Sequence, residues 1–114
     1  MVTIYHNPRC SKSRQTLQLL QDNNITPEIV EYLKTPLSYE HLSSIIEMLG
    51  VTARALVRTS EQEYKDLNLK NQDLSDDDLI NAIVQAPKLM QRPIVVNNDK
   101  AAIGRPPEDV LSIL

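Results

Sequence analysis

The chain has one cysteine, no tryptophan and no phenylalanine, and glycine occurs twice in 114 residues. A single thiol, Cys10, excludes an internal disulfide framework and any zinc site built from several cysteines. Without Trp or Phe the chain is poorly equipped to stack on bases. Basic residues are not in excess: 12 Lys and Arg against 15 Asp and Glu give a formal net charge of -3 and a pI near 5.3. A nucleic-acid binder that works by neutralising phosphates needs a basic face, so that class is excluded. No stretch approaches the ~20 apolar residues that span a bilayer. The N-terminus lacks the basic start and apolar run of a signal peptide. These absences predict a soluble protein in a reducing, cytoplasmic setting, with neither nucleic acid nor membrane among its partners.

What is present is ordinary globular material. The 41% hydrophobic and 24% charged residues fit a packed core. At this length one domain, residues 1–114, buries about two-thirds of its unfolded surface. Val2 to His6 is β-branched and aromatic and reads as a buried strand, broken by Asn7-Pro8-Arg9. Ser11 to Leu20 is helix-compatible, with Leu17 and Leu20 able to share a face, and Asp22-Asn23-Asn24 ends it. Pro27 to Leu33 reads as a second strand, which makes a βαβ unit with parallel strands. Leu42, Ile45, Ile46 and Leu49 fall at helical spacing, and Gly50 suits a left-handed C-cap. A short helical stretch over Val51–Val57 follows. Thr59 to Asn71 is polar, with Tyr64, Leu67 and Leu69 as candidate anchors. Ser75 to Asp78 resembles a capping box, and Leu79, Ile80, Ile83 and Val84 continue that helix to Pro87. Pro93 to Val96 and Lys100 to Ile103 form a hairpin around Asn97-Asn98-Asp99. Pro107, with Glu108 and Asp109 behind it, opens a last helix. The order outlines an α/β fold: a thioredoxin-like mixed sheet with an inserted helical region.

Cys10 lies between a strand and a helix start. Helix N-termini offer free N–H groups and partial positive charge, which stabilise a thiolate. Arg9 and Arg14 add charge, and His6 lies at the strand end. The site favours a reactive thiol and can receive an anion; the alternative is a buried structural cysteine. Position 13 is Ser, so no Cys-x-x-Cys pair completes a dithiol cycle. A phosphatase loop would need arginine at position 16, which is Thr16. The loop has no glycine, which excludes a glycine-rich phosphate cradle. Arg58, Arg92 and Arg105 each sit near an element end, and Arg92 and Arg105 flank the hairpin, whose pairing brings its ends together. Two guanidiniums held side by side match a tetrahedral oxyanion bidentately; the alternative is solvated surface arginines, the reading kept for Arg54. His6 is either a modifier of the thiol or a packed strand-end residue, and His41 is an exposed one. Two distant histidines and one cysteine give no metal-ligand spacing. The aspartates at 76–78 read as a helix cap, and Ser11 and Ser13 have no Asp/His partner in local reach.

Tyr5-His6-Asn7-Pro8-Arg9-Cys10-Ser11-Lys12-Ser13-Arg14 resembles the active-site loop of the glutaredoxin-linked arsenate reductases. Arg54-Ala55-Leu56-Val57-Arg58, Arg92-Pro93-Ile94-Val95-Val96 and Gly104-Arg105-Pro106-Pro107 resemble three later motifs of that family, in its order. The similarity runs from Val2 to Leu114 and is closest to the family's shorter, chromosomal branch. It implies a thioredoxin-like domain with Cys10 as nucleophile, His6 acting on Cys10 ionisation, and Arg58, Arg92 and Arg105 binding the oxyanion. It also implies a cis peptide before Pro93. The implied activity is reduction of arsenate to arsenite with no bound cofactor and no metal, glutathione as co-substrate and glutaredoxin as partner. A sister group of transcriptional regulators shares the fold, binds RNA polymerase and usually carries Cys-x-x-Cys. Ser13 argues against that branch, and a redox-responsive regulatory or protein-binding module stays the alternative. A general monothiol oxidoreductase is a third reading, which leaves the arginines without a role.

Overall fold

The computed structural model describes every residue from Met1 to Leu114. The chain divides into two compact units, one made of Met1–Thr35 with Arg92–Leu114 and the other of Pro36–Gln91. The first carries strands β1 (Val2–Tyr5), β2 (Glu28–Val30), β3 (Ile94–Asn97) and β4 (Lys100–Ile103) and helix α1 (Ser11–Asp22), and it ends in a 3₁₀ helix, Pro107–Ile113. The sheet order is β2-β1-β3-β4. β1 runs parallel to β2 and antiparallel to β3, and β3 and β4 form the hairpin. This is the thioredoxin-like mixed sheet, with the helical region inserted between β2 and β3.

Alternation along the strands builds the core of this unit. Ile4 pairs with Val95, and both are fully buried with Leu20 of α1 and Val110 of the final 3₁₀ helix. Each such side chain contributes roughly 1.5–3 kcal/mol by leaving water. Tyr5 and Ile94, one residue further on, face the other way and are also buried. The buried stripe of α1 is Ser13, Thr16 and Leu20, with Leu17 only half-buried. Its first two turns therefore pack with small polar residues, where an amphipathic helix would use apolar ones.

The second unit is helical: α2 (Tyr39–Leu49), α3 (Gln62–Asp66) and α4 (Asp76–Gln85), with 3₁₀ turns at Ala53–Leu56 and Pro87–Leu89. Leu42 and Ile45 of α2, and Leu79, Ile80 and Ile83 of α4, are buried. Gly50 caps α2 in the left-handed region at φ 68, and Ser75 and Asp78 form the expected capping box on α4. The Tyr39 hydroxyl donates to Asp77, which ties the start of α2 to α4.

Three expectations are corrected. β2 is three residues long, because Tyr32 leaves the ladder to become fully buried. The polar stretch 59–71 contains α3, and its anchor is Leu69, whereas Leu67 is exposed. The last helix has 3₁₀ geometry. No helix is long and apolar enough to cross a membrane.

Candidate active site

The loop from His6 to Cys10 leaves the sheet at the C-terminal end of β1. His6 continues the parallel ladder for one more bond, its N–H donating to the Val30 carbonyl at 2.8 Å. The chain then turns tightly. The Cys10 N–H donates to the Asn7 carbonyl at 3.0 Å, the Arg9 N–H to Asn7 Oδ1 at 3.0 Å, and Arg14 Nη1 to the Pro8 carbonyl at 2.9 Å. Cys10 becomes the N-cap residue of α1 with extended backbone, φ -94 and ψ 124, and no acidic residue occupies the helix's first turn. The thiol is half-buried.

Ser13 organises this turn from inside. It is fully buried, its hydroxyl oxygen accepts from the Asn7 N–H at 3.0 Å, and it lies 2.7 Å from His6 Nδ1. A neutral His6 bonds this hydroxyl in either tautomer, its Nδ1 accepting from the Ser13 O–H or donating to its oxygen. The electrostatics agree. Burial, opposed by Glu31 and aided by Arg14, holds the His6 imidazole below the ordinary histidine range.

Burial pushes the Cys10 thiol up, but it is outweighed. The Ser13 backbone N–H, the hydrogen bond and charge of Arg92, and the Lys12 backbone N–H all favour the thiolate, and the net shift is downward. Arg105 Nη2 stands 3.6 Å from Cys10 Sγ, while its Nε donates to the Arg92 carbonyl at 2.7 Å. The expected meeting of the hairpin ends is present: Ile94 pairs with Ile103, which sets Arg92 and Arg105 beside one another at the thiol. The peptide bonds before Pro93 and Pro106 are both cis; the first was expected from the family resemblance, the second was not.

His6, Cys10, Arg92 and Arg105 thus all belong to the first unit. Arg58 belongs to the second, where its backbone N–H donates to the Leu89 carbonyl at 2.6 Å and its guanidinium lies 3.4 Å from Glu61. Arg54, expected as a solvated surface arginine, is instead half-buried and donates to the Leu69 and Asn71 carbonyls at 2.8 and 2.9 Å. His41 is exposed. No cluster of three or more His, Cys, Asp or Glu side chains could hold a metal ion. Sequence reasoning passed over two buried contributors. Ser13 reads in the sequence as a missing cysteine and as a hydroxyl with no His partner in local reach, which the 2.7 Å contact with His6 Nδ1 corrects, and Gly104 reads only as part of a motif.

A half-buried thiol at a helix N-terminus, drawn toward its charged form with two guanidiniums beside it, is an arrangement able to serve as a nucleophile next to an anion. The sequence pattern described as the ArsC family matches residues 5–113, and the chain belongs to that family. It is 56% identical over 99% of its length to a protein of Escherichia coli strain K12 named Uncharacterized protein YfgD, covering 96% of that chain. It is 53% identical to a Haemophilus influenzae protein named Arsenate reductase, over 99% of this chain and 98% of the relative. A solved structure described as arsenate reductase from Vibrio cholerae superposes with a TM-score of 0.97 at 52% identity, covering 99% of this chain and 97% of that one.

Proposed function

We propose that this protein reduces arsenate to arsenite in the cytoplasm, with Cys10 as nucleophile, glutathione as co-substrate and glutaredoxin as the partner that restores the thiol. The observation that carries this reading is the convergence of Arg92 and Arg105 on the Cys10 sulfur. The relatives named arsenate reductase support the choice of oxyanion.

The thiolate attacks As(V) of dihydrogen arsenate. An As–S bond forms, an As–O bond breaks, and with one proton from solvent the departing oxygen leaves as water. Arg92 and Arg105 neutralise charge on the arsenate oxygens as it builds during attack. The chain has no second cysteine, so the thiolate of glutathione attacks Cys10 Sγ. The S–S bond forms, the As–S bond breaks, and its electron pair stays on arsenic, which becomes As(III) and takes up two protons to leave as arsenous acid. The two sulfurs have together lost two electrons. A glutaredoxin thiolate then takes the glutathionyl group and frees the Cys10 thiolate. His6, neutral and bound to Ser13, acts as a positioning residue for the helix start. A role for Arg58 in holding the oxyanion rests on the family resemblance, and Arg58→Ala measures it.

The test is NADPH oxidation coupled through glutathione reductase, with glutathione and glutaredoxin, with and without arsenate, for wild type and Cys10→Ser. The expected result is arsenate-dependent oxidation that falls to background in the variant. Oxidation that is independent of arsenate, or equal in both proteins, overturns the reading. If Cys10 stays reactive without arsenate turnover, the regulatory module on the same fold takes its place.

A further inference from the structure

Gly104 sits where β4 ends and Arg105 begins. Its φ is not in the left-handed region, so dihedral freedom is not what glycine supplies here. Space is. A Cβ at position 104 would lie 2.5 Å from Thr16 Oγ1, 2.8 Å from Pro93 Cγ and 3.1 Å from Thr16 Cγ2, where ordinary contact begins at 3.4 Å. Neither neighbour gives way easily. Thr16 is fully buried, its hydroxyl donates to the Lys12 carbonyl at 2.8 Å, and both branches of its side chain face the position, so rotating it exchanges one clash for another. Pro93 is a buried ring, and its carbonyl accepts from the Gly104 N–H at 2.9 Å. The next residue is Arg105, whose side chain spans to Arg92 and Cys10.

We propose that the close approach of Gly104 to Thr16 and Pro93 sets the reach of Arg105 to Cys10, which makes Gly104 a positioning residue of the site. The backbone of β4 comes so near α1 that the guanidinium arrives at the sulfur on the same helix's N-terminal turn. A methyl group at 104 pushes the end of β4 away from α1 and takes Arg105 with it. The consequence for arsenate binding rests on the reductase reading above; the consequence for the thiol does not.

The experiment compares wild type, Gly104→Ala, Thr16→Ala and the double variant by thermal unfolding, by the pH profile of Cys10 alkylation with iodoacetamide, and by arsenate kinetics. Gly104→Ala is expected to shift the alkylation midpoint upward. It is also expected to lower kcat/KM for arsenate by about tenfold to a hundredfold, mainly through KM, as an ångström-scale displacement does. Thr16→Ala alone is expected to keep the wild-type profile, and the double variant to move back toward it. A folded Gly104→Ala with wild-type profile and KM overturns the proposal, as does a double variant as impaired as the single one. If Gly104→Ala is not recovered folded, the double variant decides: folding with a wild-type profile supports the proposal, and failure to fold or a shifted profile overturns it. Absence of arsenate turnover in wild type removes the kinetic arm and leaves the alkylation arm to decide.

Discussion

Helices α1 and α4 each begin after an extended residue, Cys10 in one and Ser75 in the other. Each presents unsatisfied N–H groups and a positive dipole end. In α4 these are answered from within. The Ser75 hydroxyl accepts from the Asp78 N–H at 3.1 Å, Asp78 Oδ2 accepts from the Ser75 N–H at 3.0 Å, and three aspartates occupy the first turn. In α1 there is no side-chain cap and no acid, and the Lys12 and Ser13 N–H groups stabilise a thiolate. One helix start is closed around its own carboxylates. The other is left open, with Arg92 and Arg105 added, and its free N–H groups face a thiol that they draw toward the charged form. The contrast separates a helix start that satisfies itself from one that offers its N–H groups to a thiol, both built on the same backbone geometry.

The largest way to disturb the contrast is Arg92→Ala. It removes a charge-assisted hydrogen bond worth roughly 1.5–3 kcal/mol from the thiolate, so the midpoint of Cys10 alkylation should rise and the rate at neutral pH should fall about tenfold or more. The sign is fixed by the direction of the native shift. Because the native thiol is drawn downward, wild-type alkylation is expected to persist below the ordinary thiol range and to be lost as pH falls through the depressed native value. The part of folding stability that comes from this thiolate is present above the unfolded thiol's pKa and disappears over the same descent. Next in size is Ser75→Ala, expected to cost about 1 kcal/mol of stability in denaturant unfolding while leaving Cys10 alkylation untouched. An effect on the thiol would erase the distinction between the two helices. The smallest is Lys12→Glu, which gives α1 an acid in its first turn as α4 has. A carboxylate there competes for the dipole, about 0.3–1 kcal/mol, and alkylation at neutral pH should slow by roughly two- to fivefold with little change in unfolding.

The place of Cys10 at the helix start was legible because its signals are local: a β-branched strand, a proline break and a helix start around the single cysteine. The pairing of Arg92 with Arg105 was legible through the hairpin between them. The capping box and the Gly50 cap were legible because capping chemistry depends on a few adjacent residues. What escaped depended on distance in space. Ser13 and Thr16 are polar by type and buried by circumstance: Ser13 is bonded to Asn7 and His6, and Thr16 is covered by the close approach of Gly104. β2 was overread because Tyr32, a good strand residue, is drawn into the interior. The role of Gly104 is invisible without Thr16 and Pro93 beside it, although a chain with two glycines places one of them next to Arg105.

The order of the chain also has a consequence for synthesis. β1 takes β3 as its neighbour, and Cys10 takes Arg105, 95 positions later; the whole of the second unit is threaded between. On a ribosome emerging from its N-terminus, the chain exposes β1 with one edge unpaired, and a complete cysteine loop, long before the hairpin that covers the edge has been made. Loop closure over that span is slow compared with local helix formation. The second unit has its own buried residues and its own caps and can order first. Cys10 is among the first residues translated, and Arg92 and Arg105 are among the last. The thiol therefore passes through its own biogenesis before Arg92 and Arg105 are there to draw it toward the charged form.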